Sequence, residues 1–249
     1  MPRREERVKT AMTTMATDID SLPQDLLVEL CVSIVSSSPT PREDIMRLRA
    51  SCRRFREASK GRKVGQCMPV RREHAFRWLD ADGYFAFLRS CAECGNLEAS
   101  LILGLDEVYN QKRKSLGQHH LYKAMKGGHR VAAYTLGIIL FQDLQTQQLG
   151  VKILNKLAAM DLPGAPSTHE SLISGDVIIA TCRSEAASAM TDITWARLHL
   201  SPRRPCTNRL CGIVEKPGKA DPWSGEESLR FCSQLCRWTH ELYKFSKLT

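Results

Sequence analysis

With 249 residues the chain is long enough for one large or two modest domains with a real core. Its hydrophobic fraction of 43% and charged fraction of 25% are those of an ordinary soluble globular protein, which argues against a fibrous or wholly disordered chain. A net charge of +9 and a pI near 9.1 raise the question of a nucleic-acid partner.

Aromatic residues make up only 6% of the chain, which favours helix packing through small residues over a large aromatic core. No run approaches the roughly 18 apolar residues that a membrane helix needs, so no membrane span is expected. Met1–Arg7 is charged with no apolar stretch behind it, so it is not expected to be a secretory signal, and residues 1–18 read as a disordered tail. Of the ten cysteines, Cys31, Cys52 and Cys182 fall in apolar or helical segments, where a buried thiol is the usual state. Without a signal sequence the expected setting is the reducing cytoplasm or nucleus, and clustered cysteines there read as metal ligands.

In chain order, the first predicted elements are two short amphipathic helices between Ser21 and Phe55. Ser21 can cap the first, with Gln24 three residues on and Pro23 in the first turn, where its missing N–H costs nothing. Leu22, Leu26, Leu27, Leu30 and Ile34 recur at helical spacing. Thr40-Pro41-Arg42-Glu43 repeats the start signal, and Ile45, Leu48, Cys52 and Phe55 continue on one face. A helix pair this apolar cannot bury its own faces and needs the rest of the chain or a partner.

In residues 19–60 this pattern resembles an F-box: Leu22, Pro23, Asp25, Leu26, Leu27, Glu29, Leu30, Leu48, Arg49, Cys52, Arg53 and Phe55 match that family in order and spacing. The resemblance implies a docking surface for a Skp-type adaptor, which tethers substrate receptors to cullin–RING ubiquitin ligases. Leu22, Pro23, Leu26, Leu27 and Leu30 are the expected contact residues. The alternative is an ordinary helical hairpin packed on its own domain. Nine Lys or Arg lie between Arg42 and Lys63, but acidic residues are interspersed and no helix-turn-helix, RNP-type or Gly-rich nucleic-acid signature accompanies them. A solvated face explains this charge better than a nucleic-acid groove.

Residues 61–83, which hold Phe76 and Trp78, are predicted as a helical linker to the next part. Residues 84–165 carry a self-similarity of period 33. Leu88 answers Leu121, Gly95 answers Gly128, Ala99 answers Ala132, Leu103 answers Leu136, and Gly104 answers Gly137. A period in this range marks helical-hairpin solenoids. Gly95 and Gly128 are expected to end helices in a left-handed conformation, with Ala99, Ala132, Gly104 and Gly137 at close helix crossings. These positions resemble the Sel-like branch of the tetratricopeptide superfamily, which implies a concave protein- or peptide-binding surface. A third copy begins near Lys156 and is broken at Pro163 and Pro166, which leaves a half-repeat or a cap. The alternative is a non-repetitive helical bundle.

Residues 166–204 are expected to be a helical extension, with short helices at Asp176–Cys182 and Ile193–Leu200. From 205 to 249 the chain carries Cys206-x4-Cys211 and Cys232-x3-Cys236, with a polar loop between them and His240 after. Two close cysteine pairs suit tetrahedral zinc, and Cys232 and Cys236 are expected on one face of a helix from about 233 to 245, with His240 as an alternate ligand. Phe231-Cys232-Ser233-x-x-Cys236-Arg237 resembles the second half of FCS-type and MYND-type zinc fingers, although the first pair is wider than in those families. The alternative is a degenerate finger whose thiols hold no metal.

Nothing in the chain assembles a catalytic constellation. Cys94 has His119, His120 and His129 nearby in sequence, but Cys94 answers a helix-end position of the repeat, and no phosphate loop or nucleophile elbow is present. The fold expected is therefore all-α: an N-terminal helical hairpin, a short α-solenoid and a small Cys-rich zinc-knuckle segment. This arrangement resembles plant F-box proteins with Sel-like repeats, some of which carry a MYND finger. It implies a non-enzymatic receptor that joins a Skp-type adaptor and its cullin to an unidentified target protein. The rivals are a basic zinc-finger nucleic-acid binder and a scaffold with no ligase partner.

Overall fold

The computed structural model describes residues 19–160, 171–193 and 231–248; Cys206, Cys211 and residues 194–204 lie outside them. The described residues form helices and no strand. After a 3-10 turn at Ile19–Ser21 come α1 (Gln24–Ser37), α2 (Pro41–Ser51), α3 (Arg53–Ala58) and α4 (Arg62–Cys67). A second 3-10 turn at Val70–Glu73 and α5 (Phe76–Leu79) lead into the hairpins α6 (Ala81–Cys94)–α7 (Leu97–Tyr109) and α8 (Lys114–Lys126)–α9 (Arg130–Gln142). Then follow α10 (Gln147–Ala158), α11 (Ser171–Ile193) and α12 (Gln234–Leu248).

The N-terminal segment differs from expectation at its starts. Pro23, not Ser21, occupies the cap position of α1. Thr40 caps α2 without a side-chain bond; Ser38 anchors that turn instead, donating to Asp44 Oδ2 at 2.7 Å and accepting from the Thr40 N–H at 2.9 Å. The second helix also breaks in two. Cys52 is extended between α2 and α3, and its sulfur accepts from the Phe55 N–H, so Ile45 and Phe55 do not share one continuous helix. The expected linker is three short pieces, and the Arg42 guanidinium of α2 stacks 3.5 Å from the centroid of the linker's Phe76 ring.

In the solenoid the period of 33 becomes geometry. Gly95 at φ 101° and Gly128 at φ 94° stand in the left-handed region. Both helix ends are closed by the same pair of bonds: Gly95 N–H to Ala92 and Asn96 N–H to Cys91, then Gly128 N–H to Met125 and His129 N–H to Ala124. The next helix starts alike, with Asn96 and His129 accepting from the N–H three residues on, at Ala99 and Ala132. Successive hairpins meet through glycine on glycine. A Cβ on Gly117 would lie 2.6 Å from the Gly104 carbonyl oxygen, and one on Gly150 would lie 2.7 Å from that of Gly137. Leu121 and Leu154, both fully buried, fill the space beside Gly104 and Gly137.

The half-repeat is α10, and α11 packs on α9 and α10 as one 23-residue helix that takes in the expected Asp176–Cys182 helix, whereas the second expected helix, Ile193–Leu200, lies beyond Ile193 outside the described residues. Gly175 lets it approach the α10 end so closely that a Cβ would sit 2.2 Å from the Ala158 carbonyl oxygen. The C-terminal helix α12 is part of the core and not an appendage. Its buried face is Trp238, Glu241, Leu242 and Phe245. Trp238 Nε1 donates to Asn155 Oδ1 at 2.8 Å, and Phe245 meets the Tyr134 ring edge-on. Glu241, with no exposed surface, takes a two-pronged bond from Arg183 at 2.7 and 2.9 Å and a third from the Tyr134 hydroxyl at 2.6 Å. Burial first, then the Glu241 charge, pushes the Tyr134 hydroxyl far above its ordinary pKa, so it stays a donor.

Because the atoms that a Cβ would meet at Gly150 are backbone, they cannot turn aside. Gly150→Ala is expected to cost about 1–3 kcal/mol in urea unfolding, as overpacking does. An unchanged midpoint would show that the hairpins do not cross as described.

Candidate docking surface

Helix α1 has two apolar rows. Leu27, Cys31 and Val35, at i, i+4 and i+8, have no exposed surface and pack in the core with Ile45 of α2. Leu26 and Leu30 form a second row, 51% and 44% exposed, and Met46 of α2 is 53% exposed. Single exposed leucines are common, but an i, i+4 leucine pair backed by a sealed helix is a surface left for something else. Pro23 is exposed at the head of the same helix, while Leu22 is half-buried against the core.

Four of the five expected contact residues therefore have surface to offer, and Leu27 has none. Leu27 is corrected to a core residue: it lies one residue, about 100° of helix, past Leu26, and the chain's own helices cover that side.

The surroundings of this face are rigid. Arg54 donates to the Ile19 carbonyl at 2.9 Å and to the Leu22 carbonyl, so α3 holds the lead-in to α1. Lys63 of α4 bonds Glu29, whose carboxylate raises the lysine's pKa. Arg72 donates to the Ser36 and Ser38 carbonyls at the other end of α1. The Ser38 hydroxyl, then Arg47, hold the Asp44 carboxyl below the usual carboxylate range. Four further basic residues here are similarly engaged. Arg49 bonds Ser59 Oγ at 2.8 Å, Arg56 the Arg49 carbonyl, Lys60 Glu57, and Arg62 the Cys94 carbonyl. The cations that suggested a nucleic-acid groove largely tie the short helices together.

The other candidate sites are less complete. Cys236 is buried in the first turn of α12, and Cys232 is exposed before that helix begins, so the two do not share a helix face as expected. Their partners Cys206 and Cys211 lie outside the described residues, and among the described residues no three His, Cys, Asp or Glu side chains are grouped to hold a metal. Two thiolates of a four-ligand set are thus the most the described geometry supplies. Cys94 sits at the end of α6 against Gly65, whereas His129 is spent on capping α9 and on Glu98, 2.8 Å from its Nε2. Burial raises the Glu98 pKa, but the His129 and Arg71 bonds outweigh it and the net shift is downward. Burial lowers the pKa of His120, whose ring meets His119 edge-on.

No described helix is long and apolar enough to cross a membrane. Residues 71–188 match the family profile of plant tetratricopeptide repeats. Curated relatives from Arabidopsis thaliana include two F-box proteins. The F-box protein At1g67340 is 28% identical over 134 residues, covering 52% of this chain and 34% of the relative. The F-box protein At5g50450 is 26% identical over 133 residues, covering 51% and 38%. The chain thus spans little more than a third of the length of these relatives. No solved structure matches it.

The two leucine rows make opposite expectations for stability. Leu27→Ala is expected to cost about 2–5 kcal/mol in urea unfolding, as a buried leucine does. Leu26→Ala is expected to stay within about 0.5 kcal/mol of wild type, and equal losses would erase the distinction.

Over residues 71–188 the chain is thus similar to plant tetratricopeptide repeats, and over about half its length it has low-identity similarity to plant F-box proteins.

Proposed function

We propose that the chain is the substrate-receptor subunit of a Skp–cullin–F-box ubiquitin ligase. Leu22, Pro23, Leu26 and Leu30 meet a Skp-type adaptor, with Leu27 bracing them from beneath. The repeats present a target protein, and the chain transfers no ubiquitin itself. The observation that carries this reading is the uncovered Leu26–Leu30 row on a helix whose adjoining Leu27–Cys31–Val35 row is fully sealed. Covering it with a partner's apolar surface recovers transfer free energy that the isolated chain forgoes. The F-box relatives support it at the level of the family.

Adaptor binding tests it without disturbing the fold, because both leucines point outward. Leu26→Asp with Leu30→Asp is expected to weaken adaptor binding at least thirtyfold, about 2 kcal/mol or more, with an unchanged unfolding midpoint. A wild-type chain that captures no adaptor would leave the scaffold reading in place. Capture of RNA or DNA with a steep salt dependence, and no adaptor, would favour the nucleic-acid reading.

A structural zinc held by Cys206, Cys211, Cys232 and Cys236, with His240 as alternate, is the second part of the proposal. Its support is the pairing of the cysteines in sequence and the position of Cys232 and Cys236 at the start of α12. Elemental analysis is expected to find about one zinc per chain, released by mercurial titration of the four thiols. Metal-free protein with all four thiols open to alkylation would refute it.

A further inference from the structure

Between the end of α8, the start of α9 and the exposed side of α10 lies a cavity of about 290 Å³. Its cations are Lys126, Arg130, Lys152 and Lys156, and the described residues lining it include no Asp or Glu. None of these four forms an ion pair among the described residues, in contrast to Arg47, Lys60, Lys63 and Lys114, which do. The cavity also opens at the amino end of α9, a 13-residue helix whose dipole adds positive potential. Its apolar wall is formed by Ile153, Leu157 and Met160. His129 is fixed by its bonds to Glu98 and to the Ala132 N–H, and serves as wall.

Cations that form no ion pair among the described residues, set around an apolar floor, have a specific complement. We propose that this cavity binds an extended acidic segment of a partner protein, one that places an apolar side chain beside two or more carboxylates. The apolar side chain covers Ile153 and Met160, and the carboxylates meet the lysines and Arg130. A purely anionic ligand would leave that wall unused, and a purely apolar one would leave four desolvated cations unpaired. The proposal deepens the receptor reading and rests on it for the partner's role as target, but its chemistry is independent of the adaptor face.

A random-peptide display library selected on the purified full chain tests it. Enriched peptides are expected to carry at least two Asp or Glu within a few residues of Leu, Met or Phe. A synthetic copy of the most enriched peptide is expected to bind the Lys152→Glu, Lys156→Glu variant roughly tenfold more weakly or worse, with the Gln pair in between. Adaptor capture by the same variants is expected to be unchanged, so the failure of one reading does not mimic failure of the other. The proposal is overturned if no peptide is enriched, if enriched peptides lack an acidic excess, or if the variants bind them as wild type does. Loss of polyuridylate RNA binding in these variants, without peptide enrichment, would overturn it in favour of a nucleic acid.

Discussion

One buried amide holds the two halves of this molecule in register. Asn96, 3% exposed, shares its Nδ2 hydrogens among the carbonyls of Gly65, Gln66 and Met68 at 2.8–3.0 Å. Its Oδ1 meanwhile caps α7 at Ala99. The same side chain therefore ends the N-terminal helices and starts the first repeat's second helix. An unpaired amide at such depth would be costly, so the arrangement tolerates little slack. Glu98, two residues on, adds a second tie by binding both Arg71 and His129. The consequence is functional. In the proposed receptor, an adaptor at α1 would be joined to the solenoid through close packing and not through a tether, so a target held by the repeats would be presented at a fixed offset.

The solenoid is stiffened at both scales. Glycine crossings at Gly104–Gly117 and Gly137–Gly150 bring helix backbones into direct contact, with Leu121 and Leu154 packed tightly beside them. At the far end α12 takes the place of a further repeat. Its Trp238, Leu242 and Phe245 cover the apolar side that a terminal repeat would leave bare. The Arg183–Glu241–Tyr134 group fixes the angle at which it docks, since a planar guanidinium, a carboxylate and a hydroxyl must all be satisfied together. The Cys-rich stretch thus ends in a helix that belongs to the core of the repeat array.

Much of this was legible in the sequence where a residue type had one structural use. Gly95 and Gly128 could be read as left-handed helix ends, and Gly104 and Gly137 as crossings, because a period of 33 repeated each choice. Gly117 and Gly150, also 33 residues apart, carry the same period and complete those crossings. The leucines were harder. Leu22, Leu26, Leu27, Leu30 and Ile34 span a wide arc of α1, and which row is sealed depends on where α2, α3 and α4 lie, which no local pattern encodes. The break at Cys52 was hidden because its neighbours keep helical spacing through an extended residue. Arg183 and Glu241 are 58 residues apart with nothing in their surroundings to announce a buried pair. Their meeting is a product of the tertiary fold alone.

The central claim is that the outward leucine row of α1 is a docking face carried rigidly on the solenoid. Hydrogen–deuterium exchange on the chain with and without a Skp-type adaptor tests it most directly. The account predicts new protection in α1 and α2, around Leu26, Leu30 and Met46, with exchange in α6 to α10 unchanged. Protection that appears on the repeats and leaves α1 and α2 exchanging as in the free chain would contradict it.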